Sequence, residues 1–214
     1  MTPVSLPTIA DYPLPAAAEL PGNRVVWRPE PHRSVLLVHD MQHYFTDRFA
    51  GTLLDAVVTR IARLRRLAHD LGIPVIYTAQ PGAQSAAARG LLADFWGAGL
   101  PADPAAAAII APLAALPGEH VVTKHRYSAF VGTNLDLLLG RRDQMIITGV
   151  YAHIGVLATA CDAFMRGVEP HLVADAVGDF SAADHRQALD WAARRCARVT
   201  TTDQVLGALT GTGR

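Results

Sequence analysis

The chain has 214 residues, half of them apolar, enough to bury one full core, and its 19 basic residues balance its 19 acidic ones. Zero formal net charge leaves no basic field to hold a nucleic-acid backbone. No stretch is long and apolar enough to span a bilayer, and the N-terminus has neither a charged leader region nor a continuous apolar one, so a cytoplasmic protein with no membrane partner is expected.

Residues 1–33 are proline-rich and aperiodic and read as an extended arm over the domain or a partner subunit, followed by one domain at 34–209 and a tail at 210–214. Residues 34–38 (SVLLV) form a short buried-strand pattern that ends in His39 and Asp40. Leu53, Leu54, Val57, Ile61, Leu64, Leu67, Ala68 and Leu71 then recur at three and four residues, with Arg60, Arg63, Arg65 and Arg66 off that stripe. This predicts an amphipathic helix stopped by Gly72 and Pro74. A second strand at 74–77 leads into a long irregular stretch reaching Pro104, whose Gln84, Arg89, Asp94, Phe95 and Trp96 suit a lid over a pocket. An Ala-rich helix is expected at 104–116, a third strand at 119–123, a short helix at 135–139 and a fourth strand at 144–148. A turn and helix continue to about Gly167, then come a fifth strand at 170–173, a helix at 182–196 and a sixth strand at 198–201.

Strands alternating with helices imply right-handed parallel βαβ units. The expected fold is α/β: an open, doubly wound, mainly parallel six-stranded sheet in the order 3-2-1-4-5-6, with helices on both faces. No glycine-rich dinucleotide or phosphate loop is present, and no cofactor is expected. Ligands of such sheets bind beyond the carboxyl ends of the strands, which selects Asp40, Gln80, Lys124 and Tyr151. Asp40 and Lys124 in one pocket would form a proton-handling pair or a structural ion pair. Gln80, Arg89 and Arg126 are candidates for holding carboxylates, and Phe95, Trp96, Tyr127 and Tyr151 for walling a flat ring.

The other reactive side chains have plainer roles. His39 and His43 lie four apart near Asp40 and Asp47, but only a helix would bring them together, so no metal site is expected. Cys161 and Cys196 form no CxxC pair and read as buried apolar thiols. His153 suits orienting the turn after strand four, and Asp175 and Asp179 suit capping the next helix. That turn, Tyr151 to Gly155, contains neither Ser nor Cys where many α/β hydrolases keep a nucleophile.

HDMQ (39–42), YTAQPG (77–82), LLADFWGAGL (91–100), TKHRYSAF (123–130), ITGVYAHIGVL (147–157) and VADAVGDFS (173–181) together resemble the isochorismatase-like hydrolases, from about residue 34 to about 206. The YPLP of the arm fits as well. In the wider superfamily, nicotinamidases and other amidohydrolases use an Asp, a Lys and a Cys; the matching cysteine position here is Gly155, and the histidine of the nicotinamidase metal triad is missing from Asp47-Arg48-Phe49. The resemblance therefore implies the isochorismatase branch, in which Asp40 protonates an enol ether and water attacks. Gly155 leaves room for the pyruvyl group, and Lys124 completes the catalytic set. Gln80, Arg89, Trp96, Tyr127 and Tyr151 match substrate-contacting positions.

The implied substrate is isochorismate or its 2-amino-2-deoxy analogue. The end of the chain at Arg214 without a carrier domain, the Gly155-Val156-Leu157 run and the TTDQVL end favour the aminated substrate of phenazine-type pathways over the siderophore one. A non-catalytic ligand-binding homologue is the alternative, and an amidohydrolase would need a nucleophile that the motif lacks. His125 stands where the group tends to carry tryptophan, which is expected to change the pocket wall. A homodimer is expected because most soluble oligomers are twofold pairs.

Overall fold

β1 (Ser34–His39) forms where every residue is buried, as a strand covered on both faces requires. The computed structural model describes residues 6–212. Its sheet adds β2 (Val75–Ala79), β3 (His120–Thr123), β4 (Gln144–Val150), β5 (Glu169–Gly178) and β6 (Arg198–Thr200). The order is β3-β2-β1-β4-β5-β6 and each pairing is parallel, as the alternation of elements predicted. The helices are α1 (His43–Thr46), α2 (Leu53–Asp70), α3 (Ala86–Arg89), α4 (Leu92–Trp96), α5 (Pro104–Ala107), α6 (Leu135–Leu139), α7 (Leu157–Met165), α8 (Ala182–Arg195) and α9 (Thr202–Thr210). None among the described residues is long and apolar enough to cross a membrane.

Strand alternation divides the core in two. Val35 and Leu37 of β1 face a layer holding Leu135 of α6, Ala160 of α7 and Leu189 of α8. Leu36 and Val38 face the other layer, with Val57, Ile61 and Leu64 of α2 and Val205 of α9. Each such fully buried Val, Leu or Ile contributes roughly 1.5–3 kcal/mol relative to exposure. β1 therefore sits at the centre of the sheet with its carboxyl end rigidly placed.

The arm packs on its own domain: Ile9 is fully buried and bridges Phe49, and Asn23 bonds both the N–H and the carbonyl of Val199. Other expectations change. The Ala-rich stretch is helical only over Pro104–Ala107, because Ile109 bridges Gln42 and Ile110 N–H bonds the Met41 carbonyl, pairing that the helix would forbid. The long irregular stretch contains α3 and α4. β5 runs on to Gly178 because Asp175, inside it, is paired: Oδ1 accepts from Thr202 N–H and Oγ1 and Oδ2 from Arg60 Nε. Asp175 thus caps α9, not the next helix, whose cap is Ser181. Finally, Arg65 is buried, since Glu119 takes it in a two-toothed pair at 2.7 and 2.6 Å.

His171 of β5 is buried with neither ring nitrogen partnered among the described residues, and burial pushes its pKa down to about 3. Below the ordinary pKa of about 6.5, the unfolded chain binds a proton that the folded one refuses, so stability falls as pH falls. Replacing His171 with Leu should recover roughly 2 kcal/mol of the stability lost between pH 7 and pH 5, read from urea midpoints at each pH. An unchanged pH slope in that variant would contradict the assignment.

Candidate active site

Asp40 follows β1 in a left-handed conformation, φ +49°, which costs a non-glycine residue about 1–3 kcal/mol and must be held from outside. Thr78 at the end of β2 holds it: Asp40 N–H donates to Thr78 Oγ1 at 3.1 Å, and that hydroxyl donates to Asp40 Oδ1 at 2.5 Å. Lys124 arrives from the next strand, its N–H on the Ala79 carbonyl at 2.9 Å. Its Nζ donates to Asp40 Oδ2 at 2.7 Å and to the Arg126 carbonyl at 3.0 Å. Gln80 Nε2 reaches Oδ2 at 3.3 Å. Burial by itself raises the carboxyl pKa, but the Lys124 charge, His39 and the hydrogen bonds from Lys124 and Thr78 outweigh it, so Asp40 is held below the usual carboxylate range.

Gln42 fixes the neighbouring loop by accepting the Gln80 N–H at 2.7 Å and donating to the Gln80 and Ala107 carbonyls at 2.8 and 2.7 Å. Arg89 is buried, with Nη1 on Gln80 Oε1 at 3.3 Å and Nε on the Gly97 carbonyl at 3.2 Å. Trp96 donates its indole N–H to the Tyr127 hydroxyl at 2.6 Å, closing the lid side. One cavity has Asp40, Lys124, Gln80 and Arg89 in its wall. Trp96, Tyr127, Tyr151 and Gly155 line the same cavity, so the eight residues that the family resemblance implied share one space.

Three candidates lie elsewhere. Phe95 is 65% exposed on the outer side of α4 and lines no part of the cavity. Arg126 gives Nη1 to the carbonyls of Ala88 and His125 and is absent from the cavity lining. His125 is likewise absent from the wall; its Nδ1 bonds Gln84 Oε1 at 3.1 Å and ties the lid segment down. His43 pairs with Asp47 at the surface, while His39 is completely buried.

Residues 34–204 match the model of the isochorismatase domain. The chain belongs to the isochorismatase family. It is 48% identical over 203 residues to the phenazine biosynthesis protein PhzD of Pseudomonas fluorescens, covering 94% of this chain and 98% of that one. The isochorismatase of Bacillus subtilis is also 48% identical, over 96% of this chain and 67% of its own length. Among solved structures, a cysteine hydrolase from Pseudomonas syringae pv. phaseolicola aligns with a TM-score of 0.80 at 25% identity, covering 90% of this chain and 98% of that one.

The fold is thus shared with a protein named a cysteine hydrolase, and the turn after β4 is where this chain has glycine and no cysteine. Here residues Ala152–Val156 form a wide π-helical turn before α7. A Cβ on Gly155 would run into Cε1 of His39, so an imidazole already fills the place where a side chain would begin. The room that Gly155 was expected to leave for a pyruvyl group is, at Cβ, taken by His39. Tyr151 spends its hydroxyl on the Phe45 carbonyl at 2.7 Å and offers the cavity its ring. His153 donates its backbone N–H and meets with Nδ1 the two oxygens of Asp179, at 2.8 and 2.5 Å, anchoring the turn as its position suggested. Asp179 therefore serves this turn instead of capping α8. Cys161 is half-buried, Cys196 is buried, their Sγ atoms are 3.7 Å apart, and neither lines the cavity.

Sequence reasoning passed over His39, Thr78 and Gln42 as working parts of the site, although HDMQ and YTAQPG contain all three. It also gave the arm no chemistry, whereas Leu6 lines the cavity.

Proposed function

We propose that the protein hydrolyses the enolpyruvyl (vinyl) ether of an isochorismate-type dicarboxylate by general-acid protonation from Asp40, with no covalent intermediate and no cofactor. The observation that carries this reading is a buried Asp40–Lys124 pair facing a cavity whose nucleophile seat is a glycine backed by His39. Such a site has an acid and cationic anchors but nothing to attack with, which suits a reaction begun by a proton.

Asp40 gives its proton to the vinyl methylene carbon, leaving an oxocarbenium ion on the ether carbon. Water adds there and returns a proton to the Asp40 carboxylate, and the hemiketal collapses to pyruvate and the ring alcohol. Arg89 and Gln80 suit the substrate carboxylates, and Lys124 changes partners: a substrate carboxylate drawing its charge relaxes the hold on Asp40, whose pKa then rises with burial. Tyr127, Trp96 and Tyr151 suit the flat ring.

Within this class we favour 2-amino-2-deoxyisochorismate over isochorismate; the PhzD relative supports that choice, and the equally similar Bacillus isochorismatase supports the other. A cytoplasmic homodimer belongs to the same reading, supported by the exposed apolar Phe164, Met165 and Trp191, which a second copy would cover. Pyruvate release from the two substrates, assayed side by side with purified protein, tests the reading. The aminated substrate should give the higher kcat/KM. Binding without pyruvate release from either would overturn the proposal and leave a ligand-binding homologue.

A further inference from the structure

The reaction scheme gives no task to the buried imidazole beside Asp40. His39 has its Nδ1 2.9 Å from the Val150 carbonyl, and because a carbonyl only accepts, this nitrogen carries the proton. Nε2 lies 3.3 Å from Thr159 Oγ1 of α7. That hydroxyl donates to the Gly155 carbonyl at 2.7 Å and accepts from the Ala129 N–H at 3.0 Å. The Nδ1–H therefore ties the ring to the end of β4, and Nε2, an acceptor, only lies against Thr159, whose hydroxyl is what joins the 152–156 turn to the segment after β3. The charged groups facing it are Asp40, whose Oδ2 is 3.6 Å from Nδ1, and Lys124. Burial dominates them, pushing the imidazole pKa down to about 4, so the ring is neutral near pH 7.

Gly155 does not have the left-handed backbone that would call for glycine; what excludes a side chain there is the His39 ring, whose Cε1, Nε2 and Nδ1 a Cβ would press against. Gly149, the register partner of His39 across β1 and β4, does have φ +104°, and a Cβ on it would meet the His39 carbonyl oxygen within hard contact. Two glycines thus close around one histidine, one to admit its backbone and one to admit its ring.

We propose that His39 is a positioning residue of the vinyl-ether reaction, its ring filling the seat of a side chain at 155 and its Nδ1–H clamping the end of β4, so that Asp40 and the 151–155 turn meet the substrate in fixed register. The proposal rests on the reaction assigned above. It makes His39 and Gly155 a reciprocal pair: with the ring in place, position 155 cannot hold a nucleophile, and the site is committed to proton transfer and attack by water.

The test is a double-mutant cycle read by kcat, KM and thermal midpoint. Gly155→Ala should lower kcat at least about 30-fold with KM changed less than about 3-fold, since displacing the ring moves Asp40's neighbours and not the carboxylate anchors. His39→Asn keeps an N–H for the Val150 carbonyl but not the far edge of the ring, and should hold kcat within about 5-fold, whereas His39→Ala should lose at least about 30-fold. In the His39→Asn background, Gly155→Ala should cost less than about 3-fold, and its drop in thermal midpoint should disappear. An equal Gly155→Ala loss in both backgrounds, or wild-type kcat in His39→Ala, would overturn the proposal. Wild-type protein that releases no pyruvate would instead remove the reaction and with it the catalytic role of His39, while the thermal cycle still decides whether ring and glycine exclude one another.

Discussion

Replacing Asp40 with Asn lowers kcat by at least about 100-fold while substrate still binds, because the amide keeps the shape of the carboxyl and has no transferable proton. Thr78 and Gln80 can still contact the amide, so the cavity keeps its form. Lys124, which is 1% exposed, loses its carboxylate and turns to the substrate's, so KM should not rise. Pyruvate release and calorimetric binding measure the two halves; a variant running near the wild-type rate would place the proton elsewhere.

The same residue fixes the pH dependence. In the free protein Asp40 is held below its ordinary pKa, so its acid form becomes scarcer as pH rises, and kcat/KM should fall from pH 5 to pH 8. A flat profile over that range counts against Asp40 as the acid. Stability runs the other way. A carboxyl whose folded pKa is depressed contributes stability that is present above its unfolded value of about 3.9 and lost as pH falls through the folded value. Acid thus favours turnover while it weakens the ion pair that shapes the site.

Lys124→Ala carries the second large effect. Asp40 is 4% exposed, and removing its cation leaves a buried charge without a partner, which costs about 3–5 kcal/mol at pH 7. Without Lys124, burial is free to raise the Asp40 pKa, so the variant should recover part of the loss by protonating Asp40 as pH falls toward 5. The double variant Asp40→Asn, Lys124→Met, with no buried charge, should lose less than Lys124→Ala. Urea unfolding at pH 7 and pH 5 checks all three; a loss below about 1 kcal/mol at pH 7 would mean that the pair is solvated and not the buried couple that its exposure indicates.

The sheet was legible because parallel strands buried on both faces leave apolar runs such as Val35–Val38 and Met145–Ile147, and because their carboxyl ends follow immediately as Asp40, Gln80 and Lys124. What escaped depended on partners distant in sequence. Thr78 looks like any β-branched strand residue until Asp40 lies beside it. The reason for Gly155 is a ring 116 positions earlier in the chain, and no local pattern announces it. Arg126 and Phe95 had the right chemistry, but the paths of their segments turned the first to backbone carbonyls and the second to solvent. α9 was missed although Thr201 and Gln204 form a capping box, a signal visible in TTDQ.

The central claim is that a proton, and not a nucleophile on the protein, opens the ether. Its most direct test is the mass of both products formed in water carrying deuterium and oxygen-18. Protonation by Asp40 predicts one deuterium in the pyruvate methyl group and a ring alcohol that keeps its own oxygen, since the bond to the pyruvyl carbon is the one that breaks. Oxygen-18 in the ring alcohol, or pyruvate without deuterium, would contradict it.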